Sequence, residues 1–280
     1  CFFVPTKRIF PKLRIVTNNV YDIGETCDHH KKCVEEESLP EQKVNILCMK
    51  WGYKYPAEYV NRLYSMVRRN LSRPFKFICL TENSDNLYEE IIHFPLPSVG
   101  PDLLGPERGW NKLGVFSEYL YGLSGTVLCL DLDLIITGPL DDLFDYPGDV
   151  VIINDWIKTD GTGNSSVYRF EIGSHPDIIT NFLERHKSIR KNHRNEQEYL
   201  SAALIAKGAL SYWPESWCRS FKRHCIKPFS LFLSRETTIP ADTRVIVFHG
   251  RPDPHEALSG YSGKWYRKFK PAIWINDYWR

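Results

Sequence analysis

No stretch of this sequence stays apolar for the roughly 20 residues a membrane-spanning helix needs. The opening Cys-Phe-Phe-Val-Pro run is interrupted by Pro5, Lys7 and Arg8 before a signal-peptide core can form. A surplus of one charge is also lacking. The 36 Lys and Arg stand against 34 Asp and Glu, a formal +2, far from the basic excess that grips nucleic acid through many phosphates, so no nucleic-acid partner is expected. No repeat of solenoid or propeller period occurs. The eight cysteines are an even number but do not demand an oxidising compartment, because Cys48, Cys79 and Cys129 lie in apolar runs where reduced thiols commonly pack as small hydrophobes. These absences point to a soluble, cytoplasmic protein, although a chain beginning at Cys1 leaves open what precedes it.

What is present is an ordinary globular balance, 42% hydrophobic and 25% charged over 280 residues, enough to bury one large core. Residues 1–43 are charged and aperiodic and read as an irregular extension. Within it, Cys27-Asp28-His29-His30-Lys31-Lys32-Cys33 holds soft ligands but matches no common zinc spacing. The folded domain is expected over 44–254. Val44 to Met49, Phe75 to Leu80, a weaker Ile91 to Phe94, Thr126 to Leu130, Asp149 to Ile153, Ser166 to Ile172 and Arg244 to Phe248 carry strand signals. Helical spacing follows Pro56, recurs at Leu113, Phe116, Leu120 and Leu123, and marks Pro176 to Lys187 and Glu196 to Lys207. Such alternation predicts an α/β fold with a mostly parallel mixed sheet flanked by helices. Residues 255–280 interleave aromatic and basic side chains and read as a segment packed on the domain or lying peripherally at the inner face of a membrane.

Chemistry concentrates at Leu130-Asp131-Leu132-Asp133-Leu134. Two carboxylates two residues apart on an extended chain point to one side. In apolar surroundings they repel and lose hydration unless a cation or strong donors offset them, and a divalent metal is the simplest such cation. The alternative is a strand that ends there with both side chains in solvent. A phosphatase using the first Asp as nucleophile wants Thr or Ser two residues beyond the second, and Ile135 stands there. At the end of the last strand, Val247-Phe248-His249-Gly250-Arg251-Pro252-Asp253 delivers a histidine to a turn. Imidazole with two carboxylates suits Mn2+ or a similar ion, while a lone His at a strand end is ordinarily structural.

The Asp-Leu-Asp segment, the following Gly138-Pro139-Leu140 and Asp142-Leu143-Phe144, and the His249-Gly250 turn together resemble glycosyltransferases of the GT-A fold, family 8 and its bacterial relatives. That resemblance implies transfer of a hexose from a nucleotide-diphosphate sugar, with UDP as the expected nucleotide, to a carbohydrate or lipid-linked acceptor, as in lipopolysaccharide or capsule synthesis. It implies Asp131, Asp133 and His249 as ligands of Mn2+ or Mg2+, and a donor site that includes Asp131, Leu132, Gly250 and Arg251. Asp253 departs from the pattern, for relatives often carry a basic residue there.

Further candidates follow the same resemblance. Lys112, after Trp110 and Asn111 and with Arg108 behind it, matches a donor-binding cation on the helix before the Asp strand, or is a solvated lysine. Lys50, Trp51, Gly52 and Tyr53 follow the first strand, where an open α/β sheet places ligand loops, with Tyr53 a candidate for the nucleobase. Asn164 and Ser165 match a donor-sugar segment loosely. Gln197 and Glu196 match an Asp-Gln segment near the reacting carbon, although Glu196 and Glu198 equally fit a first-turn helix-dipole role. Asp155 is the remaining acidic candidate for deprotonating an acceptor. Two rivals stand beside this reading: a nucleotidyltransferase, which needs a Gly-rich basic loop that Lys50 to Tyr53 does not supply, and a sugar-nucleotide-binding module without catalysis.

Overall fold

The computed structural model describes residues 43–100, 105–227, 235–261 and 269–280, without the side chains of 105–108. The cysteine and histidine cluster at 27–33, the extension 1–42, the Arg108 side chain and the 262–268 part of the aromatic segment lie outside the described residues.

Val44–Lys50 forms β1, followed by α1 (Ala57–Asn70), β2 (Phe75–Thr81) and the short β3 (Ile92–Phe94). A 3-10 segment, Gly105–Phe116, leads to β4 (Thr126–Leu130), β5 (Leu134–Ile136), α2 (Asp141–Asp145), β6 (Val150–Asn154) and β7 (Gly163–Glu171). Then come α3 (Pro176–Asn192), α4 (Glu196–Ala206), β8 (Leu210–Tyr212), β9 (Cys218–Ser220), a π turn (Phe221–Cys225), β10 (Val245–Val247), α5 (Pro254–Leu258) and α6 (Ile275–Tyr278).

Seven strands make the main sheet in the order β3-β2-β1-β4-β7-β6-β8, and β5-β10-β9 make a small second sheet. In the main sheet β3, β2, β1 and β4 run parallel, β7 runs antiparallel to both β4 and β6, and β8 is parallel to β6. This is the mixed, mostly parallel α/β sheet that the alternating pattern calls for.

Burial on both faces explains why the central strands read as continuous apolar runs. Alternation along β1 sends Ile46 and Cys48 to one core and Leu47 to the other. The first core is closed by α1, whose Val60, Leu63 and Val67 are fully buried at helical spacing. Trp110, Phe116 and Phe182 fill the second. Phe269, Ala272, Ile275 and Trp279 join the first core, and Trp279 meets the Tyr59 ring edge-on at 5.0 Å. These four side chains of 269–280 are buried on the domain, while Ile273 is 71% exposed. The five described cysteines, Cys48, Cys79, Cys129, Cys218 and Cys225, are free and buried, and among the described residues no helix is long and apolar enough to cross a membrane.

Three sequence expectations need correction. The α-helix predicted through Leu113 to Leu123 is instead the 3-10 segment ending at Phe116, followed by turns with positive φ at Tyr121 and Gly122. Gly105, Pro106, Gly109 and Gly114 within the segment disfavour a regular α-helix. Helix α3 runs on to Asn192, past a break at Arg185, where φ is −127° and ψ 22°. The chain is also not extended through the Asp pair: β4 ends at Leu130 and bends at Leu132 and Asp133 before β5 begins.

Candidate active site

Where the parallel β1–β4 pair meets the antiparallel β4–β7 pair, a cleft of about 270 Å3 opens at the carboxyl ends of β1 and β4. Crevices at such points are where open α/β sheets bind ligands. Trp51, Tyr55, Lys112, Asp131, Asp133 and Glu196 line it, while Leu132 between the carboxylates is only 4% exposed. Buried Leu132 anchors the bend, and both carboxylates face the same cavity.

Backbone bonds hold this geometry. The Asp131 N–H donates to Ser166 O at 2.9 Å, and the Phe248 N–H donates to Asp133 O at 2.9 Å. The segment is therefore clamped between the start of β7 and the end of β10. The β6–β7 register jumps from Ile152↔Tyr168 to Ile153↔Asn164, so Ser165, Ser166 and Val167 bulge out of the ladder. Bulges re-aim side chains. Here Ser165 donates its hydroxyl to Glu196 Oε1 at 3.0 Å and its N–H to Gln197 Oε1 at 3.1 Å. Gly109 lies against the same carboxylate, and a Cβ there would stand 3.1 Å from Glu196 Oε2.

Lys112 ties these groups together. Its ammonium pairs with Asp131 Oδ1 at 2.5 Å and donates to Ser165 O at 3.2 Å. Burial opposes its charge, but the Asp131 and Glu196 carboxylates outweigh that and hold the ammonium above its usual range. Burial likewise raises the Glu196 carboxyl, with Lys112 and Ser165 offsetting only part of the effect. Asp133 is less well compensated. Burial, then the charge of Asp131, push its carboxyl up to about 7, against the Tyr55 hydroxyl that donates to Asp133 Oδ2 at 2.8 Å. Tyr55 also lies 3.2 Å from Asp253 Oδ1, and the Lys54 ammonium reaches that oxygen at 3.3 Å.

His249 keeps different company. Its Nε2 lies 2.7 Å from the Ser220 hydroxyl, its ring stacks on Trp156 at 5.4 Å, and its carbonyl accepts from the Lys222 ammonium. Burial, then the charge of Lys222, lower its imidazole to about 4. Among the described residues no three His, Cys, Asp or Glu side chains are grouped closely enough to hold a metal. The expected triad of Asp131, Asp133 and His249 is thus present as a pair, with His249 turned to Ser220. Its backbone nevertheless follows the residue whose N–H bonds Asp133.

The other sequence candidates divide in the same way. Trp51 reaches the cleft, whereas Tyr53 is fully exposed and Lys50 lies 3.5 Å from Asn83 O. Gly52, at φ +61°, donates its N–H to Glu82. Asn164 accepts the Ser166 N–H at 3.1 Å and shapes the bulge. Asp155 accepts the Ile157 and Lys158 N–H groups at 2.8 and 3.0 Å and belongs with Trp156 and His224, around a separate cavity. Gly250 takes φ +68° in the turn, and Arg251 pairs with Glu256 at 3.4 Å. The pattern overlooked Lys54, Tyr55 and Asp253. An aromatic residue and a lysine just beyond a ligand loop were the available signals for the first two. The departure at Asp253 was the signal for the third, because its carboxylate stands beside the Lys54 ammonium and serves as the cap of α5.

No protein-family model and no curated protein sequence matches the chain. Solved structures do. Galactosyltransferase LgtC, in complex with donor and acceptor sugar analogs, superposes with a TM-score of 0.54 at 16% identity, covering 75% of this chain and 88% of LgtC. Glycosyltransferase GlyE of Streptococcus pneumoniae TIGR4 gives 0.53 at 16% identity, over 76% of this chain and 56% of its own. The chain therefore has the α/β fold of these glycosyltransferases, GT-A, with identity too low to carry more than the fold.

Proposed function

We propose that this protein is an enzyme that transfers a hexose from a nucleotide-diphosphate sugar, a UDP-sugar in the first instance, to a carbohydrate or lipid-linked acceptor. One observation carries the reading. In a GT-A fold, Asp131 and Asp133 open onto a cleft at the strand ends whose wall is made by buried Lys112 and Glu196. A cytoplasmic setting and a role in lipopolysaccharide or capsule assembly belong to the same proposal.

The donor set fits a divalent ion. Asp133 is raised to about 7 because its burial and the neighbouring Asp131 charge lack full compensation, and a cation between the two would supply it. Asp131 and Asp133 would hold Mn2+ or Mg2+, with His249 the candidate third ligand once released from Ser220. When bound, the ion would act as a Lewis acid and stabilise the charge growing on the departing diphosphate.

The chain's own groups do the rest. The Lys112 ammonium presents a fixed positive charge to phosphate oxygens entering the cleft. Trp51 offers a flat apolar face to the base, a role the exposed Tyr53 leaves to it. Glu196, oriented by Ser165, and Gln197 through the same serine stand where sugar hydroxyls require acceptors. Asp155 is engaged in capping its own turn and would serve an acceptor only from the Trp156 side.

A second reading has one observation in its favour: Lys112 already offsets Asp131, as a module that binds sugar nucleotides without metal or turnover would need. Screening nucleotide-sugars for manganese-dependent thermal stabilisation tests both, since a ligand of the folded state alone raises its melting temperature. UDP-sugars should stabilise with manganese and be hydrolysed slowly. Stabilisation that ignores manganese, without turnover, supports the module, and no response to any nucleotide-sugar removes the basis of the proposal.

A further inference from the structure

Tyr55 stands where three segments of the chain meet. It follows β1 in the loop before α1, its hydroxyl donates to Asp133 Oδ2 at 2.8 Å in the bend after β4, and it lies 3.2 Å from Asp253 Oδ1 in the turn after β10. The phenol oxygen also accepts from the Lys54 ammonium. One hydroxyl proton therefore faces two carboxylates, and the shorter contact takes it. Asp253 is only 8% exposed and has the Lys54 ammonium as its cation at 3.3 Å. Asp133 has no ion pair among the described residues, and its other oxygen, Oδ1, receives no hydrogen bond from them, although the side chain lines the cleft.

Packing fixes the ring that carries this hydroxyl. It lies 4.9 Å from the ring of Tyr59 in the first turn of α1, and the Tyr59 hydroxyl is held in turn 2.6 Å from His255 Nδ1 in α5. The Lys54 ammonium stands 4.3 Å from the Tyr55 ring centre. None of these ring contacts uses the Tyr55 hydroxyl, so for packing alone a phenylalanine would serve. Asp253 caps α5 in a capping box with Glu256, which explains a carboxylate at that position. A cap needs no phenol beside it, and the convergence of Asp133 and Asp253 on one hydroxyl is left to be explained.

We propose that Tyr55 is a positioning residue of the metal site: its hydroxyl fixes Asp133 Oδ2, leaves Oδ1 to a divalent cation, and is itself kept in place by Asp253 and Lys54. The inference rests on the reading of Asp131 and Asp133 as metal ligands. Carboxylates that bind metals are themselves held by hydrogen bonds, which set their orientation before the ion arrives. Asp253 adds a second acceptor. Once the charge on Asp133 is met, that carboxylate attracts the phenol proton less, and Asp253 keeps the hydroxyl bonded without moving the packed ring. The acidic residue in the turn after His249 thereby gains a role, for it ties the loop before α1 to the Asp pair.

The test is titration of the full chain with Mn2+, followed by the electron paramagnetic resonance of the free ion, without nucleotide or sugar, and separately calorimetric titration with UDP in the presence of manganese. Tyr55→Phe keeps the ring and removes the hydroxyl. It should weaken Mn2+ binding by about tenfold or more while circular dichroism shows the protein folded. Asp253→Asn retains a capping side chain and should weaken binding by about threefold, an effect that shrinks in the Tyr55→Phe background because the two residues act through one hydroxyl. Mn2+ affinity unchanged by Tyr55→Phe overturns the proposal, and if UDP still binds with manganese the donor reading survives it. Equal effects of Asp253→Asn in both backgrounds also overturn it, since Asp253 would then act by charge alone. Should Tyr55→Phe fail to fold, Asp253→Asn decides alone, and unchanged Mn2+ affinity there counts against the proposal. A wild type that binds no Mn2+ removes the metal site and this role together. If UDP fails to bind while Mn2+ binding still depends on Tyr55, the donor reading fails and the positioning role stands.

Discussion

The two sides of the bend at Leu132 meet their charges in opposite ways. In the cleft, Asp131, Lys112, Glu196 and Ser165 interlock, yet Asp133 remains under-compensated and rises to about 7. In the corner around His249, Ser220 meets the imidazole, Trp156 stacks on it, and Asp155 is capped by backbone N–H groups. The corner is electrostatically closed and the cleft is not. A site awaiting a charged ligand keeps an unmet electrostatic demand, whereas a supporting wall satisfies its own groups.

The sharpest way to break this contrast is Asp133→Ala. Manganese-dependent donor hydrolysis should fall by about 100-fold or more, because the change removes a ligand of the proposed metal in the open site. Activity within a few-fold of wild type in an assay with UDP-sugars would show that the cleft is not the working side. Lys112→Ala should cost about 3–5 kcal/mol of stability, since it strands Asp131 and Glu196 without their cation, and urea unfolding measures this. A loss under about 1 kcal/mol would mean that the cleft's charges are far better hydrated than their burial implies.

His249→Ala sharpens the comparison from the other side. Manganese affinity, followed by thermal-shift titration, should drop by about tenfold, well short of the Asp133 effect, if the imidazole leaves Ser220 to join the aspartates. Unchanged affinity confines His249 to the corner. The smallest effect concerns Glu198, in the first turn of α4. Partial burial works against its charge, but Lys158 and Arg194 prevail and hold it near 2, below the ordinary 4.5. A carboxylate with a depressed folded value contributes stability that is full above about pH 4.5 and is lost as pH falls toward 2. Wild type should therefore lose up to about 1–2 kcal/mol more than Glu198→Gln across that window in pH-dependent melts.

Much of the scaffold was legible because its strands are buried on both faces. β1, β2 and β4 appear as short apolar runs, and the last strand as Arg244 to Phe248, of which Val245–Val247 pairs. The three-residue strands β8 and β9 left no comparable signal, being held by neighbours more than by their own pattern. The 3-10 segment was misread because its apolar spacing suits a helix while its glycines do not. Within the site, Asp131, Lys112 and Glu196 were visible as charged residues next to strand and helix ends, and they share the cleft. Tyr55 was not visible, because its position two residues beyond Tyr53 is distinguished only by the turn at Gly52 and the pull of Asp133.

The sequence by itself determined an α/β domain and the order of its polar motifs, because apolar periodicity dictates which faces must be buried. Which of those motifs meet was decided only by the tertiary structure. The direction of a side chain at a strand end depends on partners far along the chain: Ser166 for Asp131, Tyr55 for Asp133, and Ser220 for His249. The Asp131 and Asp133 carboxylates became a site through a bend, a bulge and a distant lysine, each fixed by packing between elements that sequence spacing does not encode.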